Sequence, residues 1–260
     1  MMNLALNMKC MMKMMRKAVV FTSYDRNDYL KETLRSWRDV ANKNGYDFFF
    51  KLEPSPMQKS MEKKMINFLS EQKLYGDVIN NPERKGVLLN PWEGLNSMFE
   101  QGYDFVVLAE DDIEVSDDIL HFFDELSERH ERDEEVLAIC ASNLWSIEVD
   151  NADHKTYFKR SYFSPLIWGT WKDRWNTYLK DTWDKDYSSG GAENSGWDWN
   201  IALRVIPENN LKCIFPEKSR SKHIGKKGVH MREEDYHTSV AQSFSHHNEY
   251  LGYKEIPSAW

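Results

Sequence analysis

Apolar runs and amphipathic stretches alternate along the first half of the chain. Residues 18–23 (AVVFTS) form a continuous apolar run that predicts a buried strand. Leu30, Leu34, Trp37 and Ala41 then recur at helical spacing, and the pattern stops at Gly45. Residues 47–52 (DFFFKL) predict a second strand, and residues 61–76 a helix with Met61, Met65, Phe68 and Leu69 facing inward. Over residues 90–102, Asn90 reads as an N-cap and Pro91 as the first helical position. Residues 104–109 (DFVVLA) are a strand. Residues 116–129 are a helix capped by Ser116, with Ile119, Phe122, Phe123 and Leu126 on one face, and residues 135–142 are another strand. Strands separated by helices require right-handed crossovers. The expectation is an α/β fold, a mostly parallel central sheet with helices on both faces. No internal repeat or long linker interrupts it; residues 184–196 are a polar, Gly/Ser-rich loop.

Length and composition narrow the class. The chain has 260 residues, 41% hydrophobic and 29% charged, enough for one globular domain with a sizeable core. Residues 1–17, a Met-rich stretch with interspersed basic residues, make a poor signal peptide and read as a disordered leader, with Met15 a candidate start; the domain is 18–260. A net charge of -8 argues against a general nucleic-acid binder, though not against a local basic groove. Cys10, Cys140 and Cys213 show neither metal-ligand spacing nor a disulfide framework. No stretch approaches membrane-spanning length, and a reducing, cytoplasmic location is the expectation. Ten tryptophans are many, and each N–H makes full burial costly, so several are candidates for cleft walls, although core packing is the default for any one of them.

The run at 104–109 ends in Glu110-Asp111-Asp112. In open α/β sheets, ligands bind outside the carboxyl ends of the strands. Adjacent carboxylates repel unless a cation or hydrogen-bond donors neutralise them. A hard divalent ion does this and can also hold a diphosphate. The bland alternative is a solvated turn whose acids favour the dipole of the following helix.

The segment from Tyr103 to Leu126 (YDFVVLAEDDIEVSDDILHFFDEL) resembles the metal-binding segment of N-acetylglucosaminyltransferase I and its relatives, inverting glycosyltransferases of the GT-A (Rossmann-like) fold. Further matches follow in order. They are Phe163-Ser164-Pro165 leading to Trp168, Asp198 directly before Trp199 in SGWDWNIALR, and the stretch from Pro216 to His230, which resembles Pro-Glu-x-Ser-Arg followed by Gly-Lys-Lys-Gly-Val and His. Near the start, VVFTSYDRNDYLKETL resembles the family's strand leading into Asp-Arg, here Asp25-Arg26. The resemblance covers roughly residues 18 to 235. It implies that Asp112 holds Mn2+, or another divalent cation such as Mg2+, bridging the diphosphate of a nucleotide-sugar donor, a UDP-sugar. Asp25, Arg26, Glu110 and Asp111 then contact or support the donor, and Asp198 is the general base. It implies a nucleotide-sugar-binding half, 18–142, and an acceptor-binding and catalytic half, 143–260. Where the family often carries a His and basic residues, this chain has Asn90 and Trp92.

The residues support this chemistry on their own terms. A carboxylate is ionised at neutral pH and can deprotonate an acceptor hydroxyl. Asp198 lies between Trp197 and Trp199, which with Trp168 are the expected acceptor walls. Its bland alternative is a surface acid near a helix start. Arg220, Lys222, Lys226 and Lys227 form a cationic segment suited to a leaving diphosphate, with Gly225 and Gly228 allowing close approach. The 218–231 stretch is rich in charge and poor in apolar anchors, so it is expected to be mobile and to close over the donor; a solvated basic loop is the alternative. His223 and His230 read as satisfied structural histidines. Acceptors compatible with this reading are a glycan, glycolipid, protein or nucleic-acid hydroxyl, including a hydroxylated viral DNA base. A sugar-nucleotide nucleotidyltransferase would share the sheet and the acidic site, but a Gly-rich basic first loop is expected there and SYDRND stands in its place. A non-catalytic carbohydrate-binding module fits the tryptophans but leaves the acids idle.

Overall fold

The structure is a computed structural model describing residues 14–143, 153–183, 196–226 and 252–257. One nine-stranded mixed sheet organises it. The strands are β1 (Lys17–Ser23), β2 (Asp47–Leu52), β3 (Gly76–Asn80), β4 (Phe105–Glu110), β6 (Val136–Cys140), β7 (Thr156–Arg160), β8 (Trp168–Trp171), β9 (Lys212–Pro216) and β11 (Lys254–Glu255), in the order β11-β7-β9-β6-β8-β4-β1-β2-β3. β5 (Ile113–Val115) and β10 (Ser221–His223) form a separate antiparallel pair. β3, β2, β1 and β4 run parallel, as do β6 with β9 and β7 with β11. β8 enters antiparallel between β4 and β6 and joins the two halves into one sheet.

Alternation along the strands divides the core into two layers. From β1, Val19 and Phe21 face α1 (Asn27–Trp37), α2 (Gln58–Gln72) and α4 (Ile119–Arg129), packing with Leu30, Trp37, Met65, Phe122 and Phe123. Ala18 and Val20 face the other way, toward Leu95, Met98 and Phe99 of α3 (Gly86–Glu100) and toward Trp175 and Trp197. Close approach is built in: a Cβ at Gly94 would lie 2.8 Å from Val20 Cγ1, and one at Gly169 only 2.5 Å from Phe105 Cζ.

The predicted strands and helices of the first half are all present, with four differences. β3 carries only Val78 and Ile79 as large apolar residues and lies at the sheet edge, so its pattern was too weak to read. α3 starts at Gly86, one turn before Asn90, because the buried Glu53 carboxylate accepts from Lys85 N (2.8 Å) and Gly86 N (3.3 Å). Acids at a helix N-terminus satisfy its open N–H groups. Asn90 is therefore not a cap: buried, it accepts from Asn81 Nδ2 and donates to the Lys51 carbonyl. Ser116 is not a cap either, since α4 begins at Ile119 and Ser116 Oγ donates to Asp118 Oδ1 at 2.6 Å. Finally, Arg16 and Lys17 belong to the fold, not to a leader. Lys17 lies in β1 with its ammonium on Asp124 and Glu128, and Arg16 donates to the Gln101 carbonyl. Residues 1–13 lie outside the described residues. Among the described residues no helix is long and apolar enough to cross a membrane.

Pro91 sits inside α3, where its missing N–H leaves the Val87 carbonyl without an i+4 donor. Trp197 Nε1 donates to that oxygen at 3.2 Å, and Trp183 Nε1 donates to the next carbonyl, Leu88, at 2.9 Å. The two indoles stack, with centroids 4.5 Å apart. These contacts pin α3 to the short helical run α6 (Trp197–Asn200), which follows the one-turn α5 (Lys172–Arg174) in the chain and continues as a π-turn over Ile201–Val205 and then α7 (Ile206–Glu208). Trp197→Phe keeps the stacking but removes the donor, and is expected to cost about 0.5–1.5 kcal/mol, the net worth of one hydrogen bond, since the acceptor belongs to the exposed Val87. Urea unfolding checks it; an unchanged midpoint would show that the carbonyl finds water.

Candidate functional site

β1 continues to β2 on one side and has β4 on the other, so strand order reverses between β1 and β4. Such switch points open a crevice at the carboxyl ends of the strands. Here the crevice has a volume of ≈ 530 Å³ and is lined by the end of β1 (Thr22 to Arg26), by Glu53 after β2, by the start of α3, and by Glu110, Asp111 and Asp112. That is the size of a small-molecule site. A depression of ≈ 590 Å³ beside α1 and β5 is bordered by Glu32, Asp39, Glu114 and Asp117, a charge pattern that disfavours an anionic ligand.

The three acids have different environments. Asp111 is buried, and its Oδ2 accepts from Ser23 Oγ (2.5 Å) and Tyr24 N (2.9 Å), tying β4 to the loop after β1 across the switch point. Burial pushes its carboxyl up to about 6, against the stabilising Ser23 hydroxyl and Arg26 charge. Glu110 ends β4 in the crevice. Desolvation and the neighbouring Asp111 push it up to about 7, with His223 and Arg26 opposing and Asp198 adding to the rise. Asp112 is only 1% exposed. It is ion-paired with Arg26, its Oδ2 lies 3.1 Å from His223 Nε2, and its Oδ1 is buried without a hydrogen-bond partner among the described residues.

Asp112, Arg26 and His223 meet because β10 pairs with β5. His223 is opposite Ile113, and Ile224 N donates to the Asp112 carbonyl at 2.8 Å. Gly225 follows, where an added Cβ would lie 2.3 Å from Asp112 Oδ2. A buried carboxylate with one oxygen unpartnered among the described residues fits a divalent cation with oxygen ligands, and Asp112 is the residue that would hold it.

The other expected site residues divide. Asp25, at φ 50°, and Arg26 line the crevice. Asp198 is half-buried, the second residue of α6 after Gly196 (φ 120°). Its charge raises both the Glu110 carboxyl and the Tyr162 phenol, so the second half of the chain brings it near Glu110, although it is not among the residues that line the crevice. Trp199 is half-buried beside it. Lys226 is exposed, its backbone N donating to Tyr29 Oη at 3.1 Å; Lys227 lies outside the described residues, as does 184–195.

Four expectations are corrected. Arg220 is not a phosphate contact: it is 0% exposed, its Nε donates to Asp118 Oδ2 at 2.9 Å, and its guanidinium lies over the rings of Phe122 and Tyr253. Trp168 is not an acceptor wall. It lies in the central strand β8, fully buried against Phe163 and Trp197, because β8 is inserted between two strands where both faces are covered. Trp197 is likewise buried, pinned to α3 by its N–H. The first part of the 218–231 stretch is hydrogen-bonded into the fold: Arg220 N donates to the Ala141 carbonyl, Ser116 N to the Arg220 carbonyl, and β10 pairs with β5. Its later part, 227–231, lies outside the described residues.

Two residues at the site stand outside the expected set: Glu53, not among the candidates from sequence, and His223, which reads from sequence as a structural histidine. Glu53 directly follows the buried strand β2, as Asp111 follows β4, and that signal could have found it. His223 had no sequence signal; only the β5–β10 register brings it to Asp112.

Fold and site together define a GT-A glycosyltransferase framework. S. aureus TarS (residues 1–349, in complex with UDP-GlcNAc) superimposes with a TM-score of 0.54 at 15% identity, over 84% of this chain and 60% of that one. A longer form of S. aureus TarS gives 0.51 at 13% identity, over 80% of this chain and 36% of that one. The GNT-I family model matches residues 92–253, and the chain belongs to the GNT-I family. An Arabidopsis thaliana relative, alpha-1,3-mannosyl-glycoprotein 2-beta-N-acetylglucosaminyltransferase, is 22% identical over 257 residues, 94% of this chain. The chain spans about half (52%) of that relative's length.

Arg220→Met leaves Asp118 buried without its cation, with only Tyr253 and Ser116 hydroxyls remaining. Removing one partner of a buried pair typically costs about 3–5 kcal/mol. Thermal or urea unfolding is expected to show that loss, whereas a donor-contact role would lower nucleotide affinity with stability unchanged.

Proposed function

We propose that this protein is a metal-dependent inverting glycosyltransferase that moves a sugar from a nucleotide-sugar, a UDP-sugar, to a hydroxyl acceptor. The observation that carries this reading is the meeting of Arg26 and Asp112, from distant parts of the sequence, in one crevice at a strand switch point, with Asp198 near enough to act on the Glu110 carboxyl. Family membership and the relative whose name specifies N-acetylglucosaminyl transfer support it. So does the TarS fold likeness, that protein being in complex with UDP-GlcNAc.

The donor's diphosphate lies at the mouth of β1 and β4. Arg26 leaves Asp112 for the phosphates and offsets their charge through charge-assisted hydrogen bonds. A divalent ion at Asp112, Mn2+ or Mg2+, would neutralise the charge that develops on the leaving diphosphate. Asp111, held by Ser23 and Tyr24 N, keeps the β4 terminus fixed. Asp198 takes the proton of the acceptor hydroxyl as that oxygen attacks the anomeric carbon on the face opposite the leaving group, so the configuration inverts. Trp199, half-buried next to it, offers an apolar face to the acceptor sugar.

The test is a panel of nucleotide-sugars assayed for hydrolysis and transfer with Mn2+. Asp112→Asn is expected to keep the fold and to lose activity by orders of magnitude, with wild-type activity likewise lost in excess chelator. Full activity in chelator would overturn the metal role. Asp198→Asn is expected to lower turnover about 10²–10⁴-fold, the range for general-base catalysis, with nucleotide affinity near normal. Lost nucleotide binding with turnover retained at saturation would make Asp198 a donor-binding residue instead.

A further inference from the structure

We infer that His223 is the second protein ligand of the metal at Asp112, which makes the site selective for ions that accept imidazole nitrogen. The inference rests on the metal-dependent reading above. Two ligand atoms each about 2.1 Å from one ion and roughly at right angles are about 3.0 Å apart. His223 Nε2 and Asp112 Oδ2 are 3.1 Å apart, so one ion can bind both with little movement of either side chain. The backbone sets this spacing: His223 is in register with Ile113, and Ile224 N donates to the Asp112 carbonyl.

Only glycine fits beside the pair: a Cβ at position 225 would lie 2.3 Å from Asp112 Oδ2 and 3.0 Å from His223 Nε2, so any side chain there would displace both ligand atoms. Asp112 Oδ1 adds an independent sign, being buried without a hydrogen-bond partner among the described residues. The Arg26 guanidinium on Asp112 acts as the resident cation. Its replacement by a metal frees it for an anion such as a diphosphate.

The described residues contain no group of three or more His, Cys, Asp or Glu side chains that could hold an ion. Two protein ligands leave most positions to donor phosphates and water, as a metal that bridges a diphosphate requires. Imidazole suits Mn2+ and Co2+ better than the hard ions Mg2+ and Ca2+, which take oxygen. An Asp–His pair therefore favours Mn2+ or Co2+, where a carboxylate alone would favour neither.

The experiment is pulsed EPR of the full-length protein with Mn2+ and UDP, read for the nitrogen coupling of a directly bound imidazole, alongside calorimetric Mn2+ and Mg2+ affinities. The wild type is expected to show the coupling. His223→Gln, which replaces nitrogen with an amide oxygen, is expected to abolish it and to lower Mn2+ affinity by about tenfold or more while Mg2+ affinity changes little. His230→Gln, outside the described residues, is the control and is expected to retain the coupling. Coupling that survives in His223→Gln, or that is absent from a wild type whose Mn2+ binding is lost in Asp112→Asn, would overturn the inference and leave the metal-dependent reading standing. No Mn2+ binding with or without UDP would overturn both.

Discussion

The structure depends on compensating the negative charge at the end of β4. Moving a carboxylate out of water costs several kcal/mol even after relaxation, and Asp111 and Asp112 are both buried. Each is compensated from a different part of the chain: Asp111 by the Ser23 hydroxyl and Tyr24 N–H, Asp112 by Arg26 and by His223 on β10. The contacts that make these acids tolerable therefore also hold the β1 loop, α1 and the β5–β10 pair around one crevice.

The second half of the chain enters this arrangement through the sheet. β8 places Trp168 and Trp171 between β4 and β6, where they serve the core. A helix proline then couples the halves. Pro91 releases the Val87 carbonyl, Trp197 donates to it, and Asp198 is the next residue. The position of Asp198 is thus tied, through its neighbour, to the helix that walls the crevice.

The match to the GNT-I family begins at residue 92, so β1, β2 and β3, with Arg26 and Glu53, lie outside it. The tertiary structure relates the two parts. The parallel register of β1 with β4 brings Thr22 opposite Glu110 and carries Arg26 to the acids that the match does cover. Glu53 closes the other wall by holding the α3 N-terminus through Lys85 N and Gly86 N.

Local pattern alone determined the strands at 18–23, 47–52, 104–109 and 135–142, the helices between them, and the acidic triplet's place at a strand end. Those features follow from periodicity and from what burial demands of neighbouring residues. Resemblance added Arg26, Asp112 and Asp198; the fold sets the first two in one crevice and the third near Glu110. Residue type and sequence neighbourhood misled wherever a partner lay far away. Arg220 reads as a phosphate ligand until Asp118, Phe122 and Tyr253 enclose it, and Trp168 and Trp197 read as cleft walls until the sheet and α3 cover them. Asn90 reads as a cap until Glu53 starts the helix a turn earlier. His223 carries no signal at all until the β5–β10 pairing sets it 3.1 Å from Asp112. The reason is common to all of them: hydrophobic period is a property of a segment, whereas the partner of a charge or of an indole N–H is fixed by strand order and register, and these exist only once the chain has folded.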